Sequence, residues 1–167
     1  PAIRPGIHIL KYSANGIEQE ILDSSALEGS FLLAYTGQSH HSGLNNFEVM
    51  TRAVQKNSET LAALKELATV AEEMEAALKN KRLDLIPCLF EREYQWRVQL
   101  APAFSRKKKK KIRKLALNAG ARGVKICGAG GGGCVLIWVK PDTKDEMKDE
   151  IRQRVKLSCQ SEGFQVL

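Results

Sequence analysis

The chain has 167 residues, 43% hydrophobic and 27% charged, which suits one ordinary globular domain and leaves little room for two. No run approaches the roughly 18 to 20 apolar residues of a membrane span, and the N-terminus shows no basic-then-apolar signal pattern, so a cytoplasmic location without membrane insertion is expected. The net charge of +7 has one source: Arg106, Lys107, Lys108, Lys109, Lys110, Lys111, Arg113 and Lys114 supply eight positive charges, and without them 18 basic residues face 19 acidic ones.

The first predicted element is a hairpin, with strands over 7–12 and 17–22 around Asn15-Gly16, the commonest two-residue type I′ turn signal. A short apolar run over 31–35, ending at Gly37, predicts a buried strand. From Asn45 the pattern turns helical, with Phe47, Val49, Met50, Ala53 and Val54 at three-to-four spacing before Lys56-Asn57. A second helix is predicted over 60–79, with Leu61, Leu64, Leu67, Ala68, Ala71 and Met74 as its apolar stripe. A third covers 83–99, unless Pro87 marks its first turn. Pro102 ends that stretch, and Ser105 can cap a fourth helix running through the lysines to Asn118, with Gly120 as its stop.

Beyond Gly120 the period changes. Residues 124–127 and 134–139 are β-branched runs flanking a glycine loop, Pro141-Asp142 opens a helix over 144–159, and Gly163 leads to a last strand over 164–167. A strand-loop-strand pair followed by helix and strand argues for an α+β fold, a mainly antiparallel sheet with helices packed on one face. No internal repeat is present.

Gly128, Ala129, Gly130, Gly131, Gly132 and Gly133 match G-x-G-x-x-G letter for letter. A dinucleotide fingerprint needs a helix to begin at the loop, so that its N-terminus meets the pyrophosphate. Here the loop runs into Cys134-Val135-Leu136-Ile137-Trp138-Val139, which reads as a strand, and no Gly-Lys-Ser/Thr follows to make a Walker loop. Each glycine costs about 0.5 to 1 kcal/mol relative to alanine when ordered, so five in six positions suggest positive φ angles or close backbone approach. A wide, flexible hairpin turn is the bland alternative.

The segment 125–134, Lys-Ile-Cys-Gly-Ala-Gly-Gly-Gly-Gly-Cys, resembles the third motif of the GHMP kinases, a glycine-rich loop between two strands of their C-terminal domain. Residues 119–123 fit the same resemblance. Residues 33–39 resemble the strand and turn of heptose-phosphate kinase-like and related sugar kinases, and 91–100, with Trp96, resemble the helix ahead of the glycine motif. The likeness runs from about residue 31 to the end and implies a ferredoxin-like GHMP kinase C-terminal domain over 31–167. Residues 1–30 then read as a hairpin that could belong to an N-terminal domain outside the chain.

The resemblance also implies an ATP-dependent kinase acting on a sugar or sugar phosphate, with magnesium on the nucleotide. Gly128, Ala129, Gly130, Gly131, Gly132 and Gly133 would border the cofactor, and Thr36, Gly37, Gln38 and Ser39 the substrate. The family's Pro-x-x-x-Gly-Leu-Gly-Ser-Ser loop, which binds ATP, and its acidic catalytic residue belong to the N-terminal half. Nothing here matches either, so no catalytic residue is assigned, ATP and Mg2+ would be bound mainly by that N-terminal kinase domain, and the chain alone is expected to be inactive. The alternative is a non-catalytic module of the same fold that binds an anionic metabolite or partner.

Other candidates weigh less. Gln38, Ser39, His40, His41 and Ser42 form a polar turn that suits either sugar binding or the capping of the next helix. His40-His41 lacks a third ligand in register, and no metal site is assigned. Cys88, Cys127, Cys134 and Cys159 form no C-x-x-C pair and are expected as reduced thiols, mostly packed as small hydrophobes. The basic run is expected to be a solvated helix face; nucleic acid is not expected as a partner, because no aromatic side chain interrupts the run for base stacking.

Overall fold

A computed structural model of the chain describes residues 4–37, 43–100, 107–128, 133–140 and 146–167. Strands β1 (Ile7–Ser13) and β2 (Gly16–Leu22) pair antiparallel, from Ile7 opposite Leu22 to Ser13 opposite Gly16, so the turn falls on Ala14-Asn15, one residue before the expected Asn15-Gly16, and is not the type I′ turn that pair suggested. They form a two-stranded sheet of their own. After a single 3-10 turn at Ser25–Leu27 comes β3 (Phe31–Tyr35), then helices α1 (Gly43–Val54), α2 (Ser58–Lys79), α3 (Ile86–Leu100) and α4 (Lys107–Asn118). Strands β4 (Gly123–Ile126) and β5 (Cys134–Trp138), helix α5 (Glu146–Gln160) and the two-residue strand β6 (Gln165–Val166) complete the order. The second sheet has the order β4-β5-β3-β6, with every neighbouring pair antiparallel.

The α+β class and antiparallel sheet expected from the chain order are observed, but helices cover both faces of the four-stranded sheet rather than one, with α4 and α5 on one side and α2 and α3 on the other. Strand alternation sends Leu32, Ala34, Val124, Val135 and Ile137 to one face of the four-stranded sheet, where they meet Ile112 and Ala116 of α4 and Ile151, Val155 and Cys159 of α5. This is the main core. Ile112, Ile137, Val155 and Cys159 are fully buried, each large aliphatic side chain contributing about 1.5 to 3 kcal/mol relative to exposure. The alternate residues Phe31, Leu136 and Trp138 point the other way and pack on Ile86 and Phe90 of α3, with Met74 and Leu78 of α2 beside them. Phe31 meets Trp138 edge-on with ring centroids 4.9 Å apart.

Helix boundaries follow local chemistry. Asn57 caps α2, its side chain accepting from the Thr60 amide at 2.9 Å, so the helix starts two residues earlier than its apolar pattern predicts. Leu83–Leu85 form a 3-10 turn and Pro87 falls in the first turn of α3, where a missing N–H costs nothing. The Ser105 cap, the start of the predicted helix at 144 and the turn 38–42 lie outside the described residues.

Two packing expectations need correction. The buried face of α2 is Thr60, Ala63, Val70 and Ala77, whereas Leu61 is 43% exposed, and Ala68 and Ala71 turn toward the hairpin. A helix with apolar residues around more than one stripe is oriented by its neighbour, and here α3 selects Val70, Met74 and Ala77 through Leu89. Within the basic run, Lys109 is 3% exposed, because it shares with Ile112 and Ala116 the stripe of α4 that faces the protein. Lys107, Lys108, Lys110, Lys111 and Lys114 are exposed as expected.

Candidate functional site

Three strands deliver the site to one end of the four-stranded sheet. β3 ends at Tyr35, opposite Cys134 at the start of β5, and the Thr36 amide then donates to the Gly133 carbonyl at 3.0 Å. On the other side of β5 the Cys127 amide donates to the Cys134 carbonyl at 3.0 Å, closing the base of the glycine loop. Thr36 and Gly37, Gly128 and Gly133 are thereby brought together, although they lie about a hundred residues apart in sequence. Gln38, Ser39, Ala129, Gly130, Gly131 and Gly132 lie outside the described residues.

The two described loop glycines adopt φ values of +65° (Gly128) and +83° (Gly133), a region costing other L-residues roughly 1 to 2 kcal/mol. A Cβ at either position would meet no atom of the described residues within 4 Å. Backbone conformation, rather than crowding by the described residues, therefore accounts for these two glycines. β5 follows the loop directly, so no helix begins at its end and the dinucleotide reading stays excluded.

Thr36 is 4% exposed, and its Oγ1 has no hydrogen-bond partner among the described residues. A buried hydroxyl in that condition costs about 1 to 3 kcal/mol, so it is suited to a polar group arriving from outside. Burial pushes the Cys127 thiol up from its ordinary value of 9.0, against a smaller opposing pull from Lys125. It is thus a neutral thiol at physiological pH rather than a nucleophile. All four cysteines are free, with Cys159 buried and Cys88 exposed.

Sequence patterns alone do not single out a further cluster, which lies beneath the loop. Glu93 of α3, with its side chain 13% exposed, accepts from Arg97 Nε at 2.7 Å and pairs with Lys125 Nζ of β4. Arg97 Nη1 donates onward to the Gly128 carbonyl at 2.8 Å and lies 3.4 Å from the Ile126 carbonyl. Two cations, Arg97 and Lys125, thus share the Glu93 carboxylate beside Gly128. The same three residues help line a cleft of about 1160 Å³ between β1, α2 and α3, together with apolar residues such as Leu67, Ala71, Met74 and Phe90 and the polar His8, Lys11, Glu72 and Glu75. The available signals were the i,i+4 spacing of Glu93 and Arg97 and a lysine on an otherwise apolar strand.

Among the described residues no group of three or more His, Cys, Asp or Glu side chains could hold a metal ion, and no helix is long and apolar enough to cross a membrane. The buried Thr36 hydroxyl, without a partner among the described residues, the left-handed Gly128 and Gly133 and the Arg97–Glu93–Lys125 cluster thus gather at one end of the four-stranded sheet. No phosphate-cradling loop is present among the described residues.

Residues 50–157 match the family described as GHMP kinases, C terminal, and the chain belongs to that family. It is similar to a bifunctional fucokinase/GDP-fucose pyrophosphorylase of Arabidopsis thaliana, 29% identical over 132 residues, which is 79% of this chain and 12% of that protein. Its fold is similar to that of L. major mevalonate kinase in complex with R-mevalonate, with a TM-score of 0.72 and 14% identity, covering 97% of this chain and 48% of that one. A putative sugar kinase from Campylobacter jejuni aligns with a TM-score of 0.58 and 21% identity over 96% of this chain and 43% of that chain. The chain thus spans about half the length of the kinases whose fold it shares and a small part of its curated relative.

Proposed function

We propose that the chain is the C-terminal domain of an ATP-dependent kinase that phosphorylates a sugar or sugar phosphate, and that an N-terminal domain supplies the phosphate loop and the catalytic side chain. The observation that carries this reading is the hydrogen bond from the Thr36 amide to the Gly133 carbonyl, which unites the two candidate segments at one sheet end. The fucokinase named in the curated relative favours a sugar acceptor. In this reading Gly128, Ala129, Gly130, Gly131, Gly132 and Gly133 border the nucleotide phosphates, while Thr36, Gly37, Gln38 and Ser39 contact the sugar.

ATP with Mg2+ supplies the phosphoryl group, and such transfers depend mainly on positioning and charge stabilisation. This chain contributes a wall that excludes water, a buried Thr36 Oγ1 for a substrate hydroxyl, and the positive potential of Arg97 and Lys125. The hairpin of residues 7–22 forms a separate sheet and exposes Tyr12 and Ile17, while α1 exposes Phe47, Met50 and Val54. These apolar surfaces suit contact with the N-terminal domain.

The test compares ATP turnover by the 167-residue chain with turnover by the longer protein that includes the N-terminal half, against monosaccharides including fucose, their phosphates, and mevalonate. The longer protein should turn over ATP with a sugar or sugar phosphate at about 1 to 100 per second, and the chain alone should not. Turnover by the chain alone would refute the division of labour. Preference for mevalonate would refute the sugar assignment, and absence of turnover with every acceptor would favour the non-catalytic module.

A further inference from the structure

Two thiols meet where β4 and β5 give way to the glycine loop. Ile126 lies opposite Val135 in the antiparallel ladder, and the Cys127 amide donates to the Cys134 carbonyl at 3.0 Å, so the register runs one step further and sets Cys127 opposite Cys134. On its other side Cys134 is fixed by β3, where it faces Tyr35. Three strands therefore set the pairing. Directly opposite residues of an antiparallel pair carry their side chains on the same face, with Cα atoms about 4.5 to 5.5 Å apart. Bridged cysteines span roughly 4.4 to 6.8 Å, so this position suits a disulfide.

Both thiols are free and half-buried, whereas Cys159 is buried on α5 and Cys88 is exposed on α3. Cys127 Sγ lies 4.0 Å from the Lys125 carbonyl, a weak contact that does not hold the side chain against a turn about χ1 toward Cys134. Burial pushes the Cys127 thiol up, Lys125 pulls it down less strongly, and Cys134 adds a further upward push, as one thiol does to another close by.

We propose that Cys127 and Cys134 form a modification site, a dithiol that a hydroperoxide converts to a disulfide tying β4 to β5 at the base of the glycine loop. Cys134 is oxidised first: its sulfur bonds to one peroxide oxygen as the O–O bond breaks, and the other oxygen leaves with the thiol proton as water or an alcohol, giving a sulfenic acid. The Cys127 sulfur then attacks the Cys134 sulfur. The S–S bond forms, the S–O bond breaks, and the Cys127 proton leaves with the departing hydroxide as water. Two thiols are oxidised and one peroxide is reduced. Cys127, kept neutral by burial, does not begin the sequence; it acts on a sulfur already oxidised opposite it, where position offsets a small thiolate fraction. The inference is independent of the kinase reading.

The experiment treats the 167-residue chain with hydrogen peroxide, blocks the remaining thiols with an alkylating reagent and digests it with trypsin for mass spectrometry. Cleavage after Lys125 and Lys144, with the Lys140-Pro141 bond resistant, places Cys127 and Cys134 on one peptide, 126–144, apart from Cys88 and Cys159. That peptide should lose two hydrogens and accept the alkylating reagent only after reduction. Cys127→Ser and Cys134→Ser should each abolish the loss, and Cys88→Ser should leave it unchanged. Cysteines this close in sequence can also bridge in an unfolded chain, so the second readout is the thiol–disulfide equilibrium against glutathione, in buffer and in guanidinium. The disulfide should be favoured about tenfold more in the folded chain, the equivalent of about 1.4 kcal/mol. A peptide 126–144 that carries only sulfinic acid, or that bridges to Cys88 or Cys159, overturns the proposal. An equal or smaller preference in the folded chain shows that the strands hold the sulfurs apart and also overturns it. Should a serine variant not fold, the wild-type peptide and the glutathione equilibrium decide between the same outcomes.

Discussion

Gly123 begins β4 directly against the first turn of α3, and replacing it with alanine tests that contact. A Cβ there would lie 3.0 Å from Pro87 Cα and 3.4 Å from both Pro87 Cβ and Phe90 Cδ2. Carbon atoms settle at roughly 3.5 to 4.0 Å, so α3 and β4 must separate by about half an ångström. The nearest obstacle is backbone within a helix, which cannot swing aside as a side-chain tip can. Overpacking of this kind costs about 1 to 3 kcal/mol. At about 2 to 4 °C per kcal/mol for a domain of this size, Gly123→Ala should lower Tm by about 2 to 12 °C. Gly128→Ala is the counterpart: its Cβ meets nothing among the described residues, but its φ of +65° should cost about 1 to 2 kcal/mol, and asparagine there should recover part of the loss. Thermal unfolding of the three variants, followed by circular dichroism, separates crowding from backbone strain. Gly123→Ala melting within about 1 °C of wild type, or Gly128→Asn melting no higher than Gly128→Ala, would refute the reasoning.

Replacing Lys107, Lys108, Lys110 and Lys111 with serine and glutamate should leave cooperative unfolding intact and weaken only salt-sensitive binding to a polyanion such as heparin, since the Lys111–Glu162 pair is exposed. Adding Lys109→Glu should lower Tm further, because that side chain is buried, and equal melting of the two variants would contradict its placement. The hairpin should loosen in acid. Lys79 and then Lys11 hold the Glu75 carboxyl below its ordinary value of 4.5, so the contribution is present above about pH 4.5 and is lost as pH falls through the lowered folded value. Protection of the 7–22 amides, taken relative to the intrinsic exchange rate at each pH, should therefore fall below that pH in wild type, and much less so in Glu75→Gln; an identical fall in both would show that another group governs the hairpin.

The sequence by itself determined the elements whose signals are local. Asn15-Gly16 marks the hairpin, although pairing of Ser13 with Gly16 sets the turn on Ala14-Asn15 rather than on Asn15-Gly16, and β-branched residues on both sides of the glycine run mark β4 and β5. The α+β class follows from their order, and the glycine loop with the segment before Gln38 was legible as a candidate site. Tertiary structure alone decided which face each helix buries. The apolar residues of α2 cover more than one stripe, and α3 selects among them, while the position of Ile112 and Ala116 on α4 takes Lys109 inside with them.

The cluster beneath the loop shows the same limit at the site. Glu93 and Arg97 are one helical turn apart, and that pairing can be read from spacing, but Lys125 and Gly128 join them only after β4 pairs with β5 and packs beside α3. Likewise Thr36 reaches Gly133 only because β3 and β5 pair antiparallel with Tyr35 opposite Cys134. A sequence specifies short-range conformational preference through backbone sterics and periodicity. Which polar groups meet across a hundred residues is set by strand register and helix packing, because those contacts depend on how all the buried surfaces fit together.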